Sequence, residues 1–196
     1  MYRLEWLAIA GVALTFIAFL IYNSRDGKIN TAAWLLWVVG DVLEAGSYFV
    51  MTSEDVLKNA VPIAFAVGSA ITFINSLVRG RFGVPDGKDQ AVIAIDMSIT
   101  FSWFQRYVDA AAANIMFVAT ELISFIPLYR GIHTGTETEH AMPFLLWAAA
   151  DALFLAVVLS LPHTAEERIY PAVAGVAHLL VVACIGLRRS RIRAVR

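Results

Sequence analysis

The chain has 196 residues, of which 59% are hydrophobic and 16% charged, and its formal net charge is −1. A soluble domain is about half apolar, so this composition favours an integral membrane protein over a soluble one. The single cysteine, Cys184, excludes an internal disulfide framework. We expect no nucleic-acid partner, because the Arg-rich C-terminal tail is better explained as an anchor of the last helix on the cytoplasmic face.

Seven apolar stretches follow one another along the chain, separated by short polar connections. A helix that spans the bilayer needs about 20 mostly apolar residues, and the stretches lack the period-two alternation of strands. The fourth stretch is the weakest, because it carries Asp96 and several hydroxyl residues. The sequence predicts an all-α integral membrane protein with seven transmembrane helices, over residues 4–22, 31–51, 58–78, 90–107, 111–130, 141–161 and 169–187.

The distribution of Lys and Arg predicts the orientation of the chain. The first stretch lacks a small-residue cleavage site and is therefore expected to be a retained helix. With seven spans, eleven of the fifteen basic residues fall on one side, including the tail RRSRIRAVR. Cytoplasmic segments carry the excess of basic residues, so we expect the N-terminus outside, the C-terminus in the cytoplasm, and a bacterial inner or plasma membrane. The tail is expected to contact membrane lipid.

A short run occurs twice in the chain. Residues 34–43 read WLLWVVGDVL and residues 144–153 read FLLWAAADAL, and five of these ten positions match at an offset of 110. Each copy places an Asp four residues after a Trp. Because the first and fifth stretches run in the same direction, the two halves would be parallel repeats. The predicted layout is a first three-helix repeat at 1–85, a linker helix at 86–108 and a second three-helix repeat at 109–196, in one membrane domain.

The segment that leads into the sixth stretch resembles a PQ-loop. It reads SFIPLYRGIHTGTETEHAMPFLLW, a Pro-containing helix end followed by a polar loop and a Trp-bearing apolar run. The positions that match the general pattern are Pro127, Tyr129, Arg130, Thr134 and Trp147. With the three-one-three layout, the chain resembles the SWEET and PQ-loop transporter superfamily, and the PnuC-type vitamin transporters share that layout. The resemblance implies alternating access around a shared site, with Pro127 as a hinge.

The intramembrane acids and their Trp residues are the first candidate binding residues. An ionised Asp at the bilayer centre costs about 2.5–3.5 kcal/mol on insertion scales, so such groups are paired, protonated or exposed to water. Trp37, Asp41 and Glu44 share one face of the second predicted helix, and Trp147 and Asp151 share a face of the sixth. Aromatic faces and carboxylates together suit a polar or cationic solute. We predict that these residues bind a small-molecule substrate; the alternative is that each Asp bonds to a Ser or Thr of a neighbouring helix.

Four further residues join the predicted site. Asn75 resembles the Asn that contacts the sugar in SWEET relatives, and His178 could titrate near neutral pH and couple a proton to transport. Glu121 lies in the middle of the fifth predicted helix, and Pro127 beyond it removes a backbone donor and is expected to kink that helix. The alternative for His178 is a hydrogen-bonded packing role, and the alternative for Pro127 is a tolerated kink without a gating role.

Other polar features are not expected to carry function. Asp96 is predicted to be a solvated or interfacial acid of the linker helix. Four further acids are predicted to be loop charges: Glu137, Glu139, Glu166 and Glu167. The chain has no H-x3-H, no Cys pair, no G-x-S-x-G and no glycine-rich phosphate loop. We therefore predict no catalytic residue, no metal site and no cofactor, and a protein that is not an enzyme.

The function predicted from these features is transport of a small polar solute by alternating access, and the acids favour a cationic substrate or proton coupling. Two alternatives stay open. One is a PQ-loop-type membrane receptor or partner-binding module, and the other is a membrane-embedded enzyme that acts on a lipid. The sequence leaves the substrate and any self-association into a homo-oligomer open.

Overall fold

Helices make up almost all of the described chain. The structure is a computed structural model that describes residues 2–24, 31–78, 87–134 and 139–194. Within these ranges there is no strand, and the predicted all-α class is confirmed. The helices are α1 (Tyr2–Asn23), α2 (Thr31–Met51), α3 (Val56–Val78), α4 (Gly87–Phe104), α5 (Ala110–Thr134), α6 (Ala141–Ser160) and α7 (Ile169–Ala194), with a 3₁₀ turn (Glu166–Arg168) before α7.

Six of the seven helices are long and apolar enough to cross a membrane, and α4 is the exception. The apolar part of α4 is Gln90–Phe104, which is about 22 Å long at 1.5 Å per residue. The hydrocarbon core is about 30 Å thick. The structure therefore supports six of the seven predicted spans. A crossing by α4, and the orientation of the termini that depends on it, stay predictions.

Two helices run further than their predicted spans. α5 continues through position 127 to Thr134, and α7 continues into the basic tail as far as Ala194. The predictions stopped where hydropathy falls, but a helix continues for as long as its backbone hydrogen bonds do, including outside the apolar layer. The side chain of Pro127 lies outside the described side chains, so its role as a hinge stays a prediction.

The six long helices form a closed ring. In the order α1, α3, α2, α5, α7 and α6, each helix packs on the next, and α6 packs on α1. The fourth helix packs against α5 and α2. Every helix of the ring can therefore contribute side chains to a common centre.

Glycines allow α1 to approach its neighbours closely. A Cβ on Gly68 of α3 would overlap the Phe19 ring of α1, and a Cβ on Gly11 would lie 2.8 Å from Val61 Cγ2 of α3. In lipid, helices associate through such close packing of small residues. The contact holds the Phe19 ring against α3, where it reaches the centre of the ring of helices.

Unlike a typical soluble protein, the bundle exposes many large apolar side chains on its outside and buries acids in its interior. Large apolar side chains such as Leu20, Ile71 and Val78 are exposed on the outside. Buried positions include Glu44 and Asp151, which are 0% and 1% exposed. Polar residues that face the interior of an apolar bundle are typical of functional positions in membrane proteins.

Candidate functional site

A cavity lies at the centre of the ring, and all six helices of the ring line it. Its wall consists of Phe19, Trp34, Trp37, Asp41, Phe65, Glu121, Phe125, Phe144, Trp147 and His178. The free volume is about 30 Å³, which has room for one or two water molecules. The side chains therefore pack tightly around the centre.

Aromatic rings form most of this wall. Trp147 occupies its middle, with ring centroids 5.0 Å from Phe19, 5.1 Å from Phe144 and 5.6 Å from His178. The His178 ring also stacks on Phe65, at 5.7 Å and an interplanar angle of 11°. Such edge-to-face and stacked arrangements add attraction beyond area burial. The wall is therefore a connected set of rings that joins both halves of the chain.

A second part of the wall is made by Trp34, Trp37 and Phe125. The centroids of Trp34 and Trp37 are 4.8 Å apart, and Trp37 lies 5.4 Å from Phe125 of α5. The two Trp residues are three positions apart, which places them on one face of α2. Because this face of α2 lies toward the centre, Trp37, a predicted site residue, lines the cavity and does not face lipid.

Carboxyl groups gather at the same depth. Asp41 and Glu121 are part of the cavity wall. Glu44 adjoins them, and its strongest electrostatic neighbour is another acid, Glu121. Asp151 lies behind the wall, where its Oδ2 is 2.8 Å from His178 Nδ1. Four acids from three helices and one imidazole therefore share a small interior volume.

Several polar atoms in this layer have no hydrogen-bond partner among the described residues. They are both carboxyl oxygens of Glu44, Oδ1 of Asp151, and the indole N–H groups of Trp37 and Trp147. Leaving a buried polar group unsatisfied costs about 1–3 kcal/mol, and more for a charged one. The central layer therefore offers both donors and acceptors that the chain itself does not use.

The two ends of the ring are closed by contacts between the halves of the chain. At the cavity end, where α1 ends and α2 and α6 begin, the Tyr22 hydroxyl donates to Glu139 Oε1 at 3.0 Å, and Trp34 Nε1 donates to the Tyr22 oxygen at 3.3 Å. These bonds join α1 and α2 to the segment before α6.

The opposite end, where α2 ends and α3 and α7 begin, is closed by a buried ion pair. Lys58 Nζ lies 2.5 Å from Glu167 Oε2 and also donates to the Pro162 carbonyl. The Tyr48 hydroxyl donates to the backbone oxygen of Glu167 at 2.9 Å. We call this the ion-pair end. Below it, the rings of Tyr48, Phe154 and Tyr170 lie within 5.8 Å of one another.

The structure brings most of the predicted site residues together. Trp37, Asp41, Glu121, Trp147 and His178 line the cavity, while Glu44 and Asp151 lie directly behind it in the same layer.

Asn75 lies elsewhere. Its amide donates to Asn23 Oδ1 at 2.9 Å, and Asn23 in turn donates to Thr72. This places Asn75 in a polar contact between α1 and α3, and it is not among the described residues that line the cavity.

Two predictions about polar residues are wrong. Glu167, predicted to be a loop charge, is 4% exposed and pairs with Lys58. Asp96, predicted to be solvated or interfacial, is 2% exposed and adjoins Thr120 of α5. In both cases the packing of distant segments covers the acid, and such packing is not visible in the local sequence.

The wall also contains four phenylalanines that were not predicted as site residues: Phe19, Phe65, Phe125 and Phe144. A signal existed for Phe144 alone, because it aligns with Trp34 at the offset of 110 residues. No group of three or more His, Cys, Asp or Glu side chains in the described ranges is arranged to hold a metal ion.

Comparison with known proteins finds no relative: no family model, no curated protein and no solved structure matches the chain.

Proposed function

We propose that the chain is a membrane transporter for a small polar solute that works by alternating access, with the central cavity as its binding site. The observation that carries the proposal is the position of this cavity. It lies inside a closed ring of apolar helices and receives side chains from all six, and contacts between the two halves lie at both ends of the ring.

The packing order of the helices supports two similar moving parts. In the first half α3 packs on both α1 and α2, and in the second half α7 packs on both α5 and α6. Between the halves, α1 packs on α6 and α2 packs on α5. This is the order expected of two parallel three-helix units related by an axis along the membrane normal, with α4 as the linker in a SWEET-like layout.

Alternating access requires one end to open while the other stays closed. In the proposed cycle, the Tyr22–Glu139 contact breaks to admit solute at the cavity end while the Lys58–Glu167 pair holds the ion-pair end shut. The two units then rock, and the pair separates. The acids and His178 in the central layer supply groups that can exchange protons during the cycle, and we propose that transport is proton-coupled.

The first experiment measures flux in proteoliposomes. Labelled sugars, amino acids, amines, nucleosides and vitamins are tested with and without an imposed pH gradient, against liposomes without protein. We expect saturable uptake of one class that depends on the gradient and is reduced by Asp41→Asn. Glu54→Gln, the same chemical change at an exposed acid, is the matched control and should leave uptake unchanged.

A second experiment tests the gate. On a Cys184→Ala background, Lys58 and Glu167 are both replaced by Cys and joined with a short cross-linker that reduction cleaves. Alternating access predicts that flux stops on cross-linking and returns on reduction. Undiminished flux through the cross-linked protein would rule out opening at this end, and saturable binding without flux for any solute would favour a membrane receptor on this fold.

A further inference from the structure

The central cavity offers a set of aromatic faces. Seven of its ten lining residues are Phe or Trp, and the rings of Trp34, Trp37 and Trp147 come from both halves of the chain. The face of an aromatic ring carries negative potential, and Trp attracts a cation most strongly. A wall of this kind favours an organic cation over a neutral solute of the same shape.

The charges around the cavity are of one sign. Asp41 and Glu121 line it, and Glu44 and Asp151 stand behind them. Within the described wall, His178 is the one side chain that can become positive, and its Nδ1 already contacts Asp151. A buried carboxylate is costly without a counter-charge, so a cation in the cavity would stabilise this layer and an anion would not.

The two indole N–H groups provide an independent indication of a ligand. Trp37 and Trp147 line the cavity, and the Nε1 atom of each is buried and has no acceptor among the described residues. An indole N–H can only donate. Their partner would be an oxygen acceptor on the solute. This oxygen would accept one hydrogen bond from Trp37 of the first half and one from Trp147 of the second half.

We infer that the cavity, once its side chains move apart beyond the present free volume of about 30 Å³, binds a small organic ammonium ion that also carries an oxygen acceptor, such as an amino alcohol. The cationic head lies against the aromatic rings near Asp41 and Glu121, and the oxygen accepts from Trp37 and Trp147. The inference deepens the proposed function by naming the solute class, and it rests on that function only in assigning the cavity as the transport site.

Protons and the ammonium ion compete for the same layer. The titratable groups that face it are Asp41, Glu44, Glu121, Asp151, His178 and Tyr170, and α1 and α3 add no charged side chain among the described cavity residues. A proton on one of these carboxyl groups removes the negative charge that attracts the ion. Protonation and ammonium binding therefore oppose each other, and affinity should fall as the pH is lowered.

The experiment measures binding to the purified wild-type protein through its thermal unfolding midpoint, which a ligand raises by mass action. Choline and ethanolamine are the two ammonium probes. The neutral isostere of choline, 3,3-dimethylbutan-1-ol, tests the charge, and tetramethylammonium, which lacks the oxygen, tests the acceptor. We expect saturable shifts with at least one ammonium alcohol, a smaller shift with tetramethylammonium, and none with the neutral isostere.

Variants then assign the contacts. Asp41→Asn should weaken binding of the ammonium alcohol by a factor on the order of 10, while the exposed control Glu54→Gln should not change it. Trp147→Phe removes the indole donor and leaves a smaller aromatic face that attracts a cation less strongly, so it should weaken the ammonium alcohol by a larger factor than it weakens tetramethylammonium.

Two results overturn the inference: a neutral isostere that binds as well as choline, or no saturable shift with either ammonium alcohol. Because binding is measured without flux, failure of this inference differs from failure of transport. Uptake of a neutral solute with no ammonium binding would refute the ligand class alone, and ammonium binding with no flux would refute transport alone.

Discussion

Buried charged side chains occur both at the ion-pair end of the ring and around the central cavity, and the two regions satisfy them differently. At the ion-pair end, Lys58 Nζ pairs with the Glu167 carboxylate and donates a hydrogen bond to the Pro162 carbonyl. Glu167 Oε1 in turn accepts from the Thr164 backbone N–H. In the centre, neither oxygen of Glu44 receives a hydrogen bond from an N–H or hydroxyl group of the described residues, and its neighbour is the carboxyl group of Glu121.

The difference separates a structural role from a functional one. A satisfied buried pair costs little to keep and much to break on one side, so it suits a contact that holds two parts of the chain together. A layer of acids with unused oxygens is costly in isolation and becomes favourable when protons or a cation arrive. Removing the charge of Glu44 in the centre should therefore have the opposite consequence for stability to removing the charge of Lys58 at the ion-pair end.

The largest expected effect is at the ion-pair end. Lys58→Met removes the cation and leaves Glu167 buried without a counter-charge, which should lower the free energy of unfolding by about 3–5 kcal/mol. The double variant Lys58→Met, Glu167→Met should recover most of this loss. Unfolding of the detergent-solubilised protein is the measurement, and the exposed Arg168→Gln is the control for loss of a cation. A small effect of Lys58→Met would remove the contrast between the two regions.

A smaller loss is expected at Asp151, the acid of the centre that contacts His178. Asp151→Asn replaces the carboxylate that contacts His178 at 2.8 Å with a neutral amide, which should cost about 1–2 kcal/mol. A double-mutant cycle with His178→Gln isolates the contact, because a direct bond gives a coupling energy above about 0.5 kcal/mol. Additive effects would show that Asp151 and His178 act independently.

The contact at the cavity end should be weaker than the ion pair. Tyr22→Phe keeps the ring and removes the hydroxyl that bonds Glu139 and Trp34, at a cost of about 1 kcal/mol per bond. Hydrogen exchange should become faster at the start of α6, over residues 141–146, and stay unchanged over residues 56–60. Equal acceleration at both ends would mean that the variant loosens the whole ring and opens no particular end.

The sequence predicted the helices well because their signal is local. Long apolar runs define α1, α2, α3, α5, α6 and α7, whereas the apolar stretch of α4 is shorter than that of the other helices. The acids and Trp residues were identifiable because each is costly or unusual in an apolar helix.

The inward-facing phenylalanines could not be predicted in the same way. Phe65 is buried in the cavity wall and Phe101 is 61% exposed, yet both are Phe in an apolar helix. Lipid accepts an apolar ring as readily as the interior does, so such residues carry no signal of direction. The Lys58–Glu167 pair joins residues from different halves, and nothing near either residue indicates the other.

The smallest expected effect has the opposite sign and sharpens the contrast most. Glu44→Gln keeps the size of the side chain and replaces a carboxyl group that receives no hydrogen bond from an N–H or hydroxyl group of the described residues. The new amide N–H can donate to Glu121, its acidic neighbour. Stability should stay the same or rise by up to about 1 kcal/mol, while the exposed control Glu54→Gln should change it by less than about 0.5 kcal/mol. If Glu44→Gln instead destabilised the protein as strongly as Lys58→Met, the central acids would be structural partners like those at the ion-pair end. A second outcome is that Glu44→Gln retains stability while fewer protons are released when the ammonium ion binds. Glu44 would then exchange protons with the solute and would lower stability, unlike the paired charges at the ion-pair end.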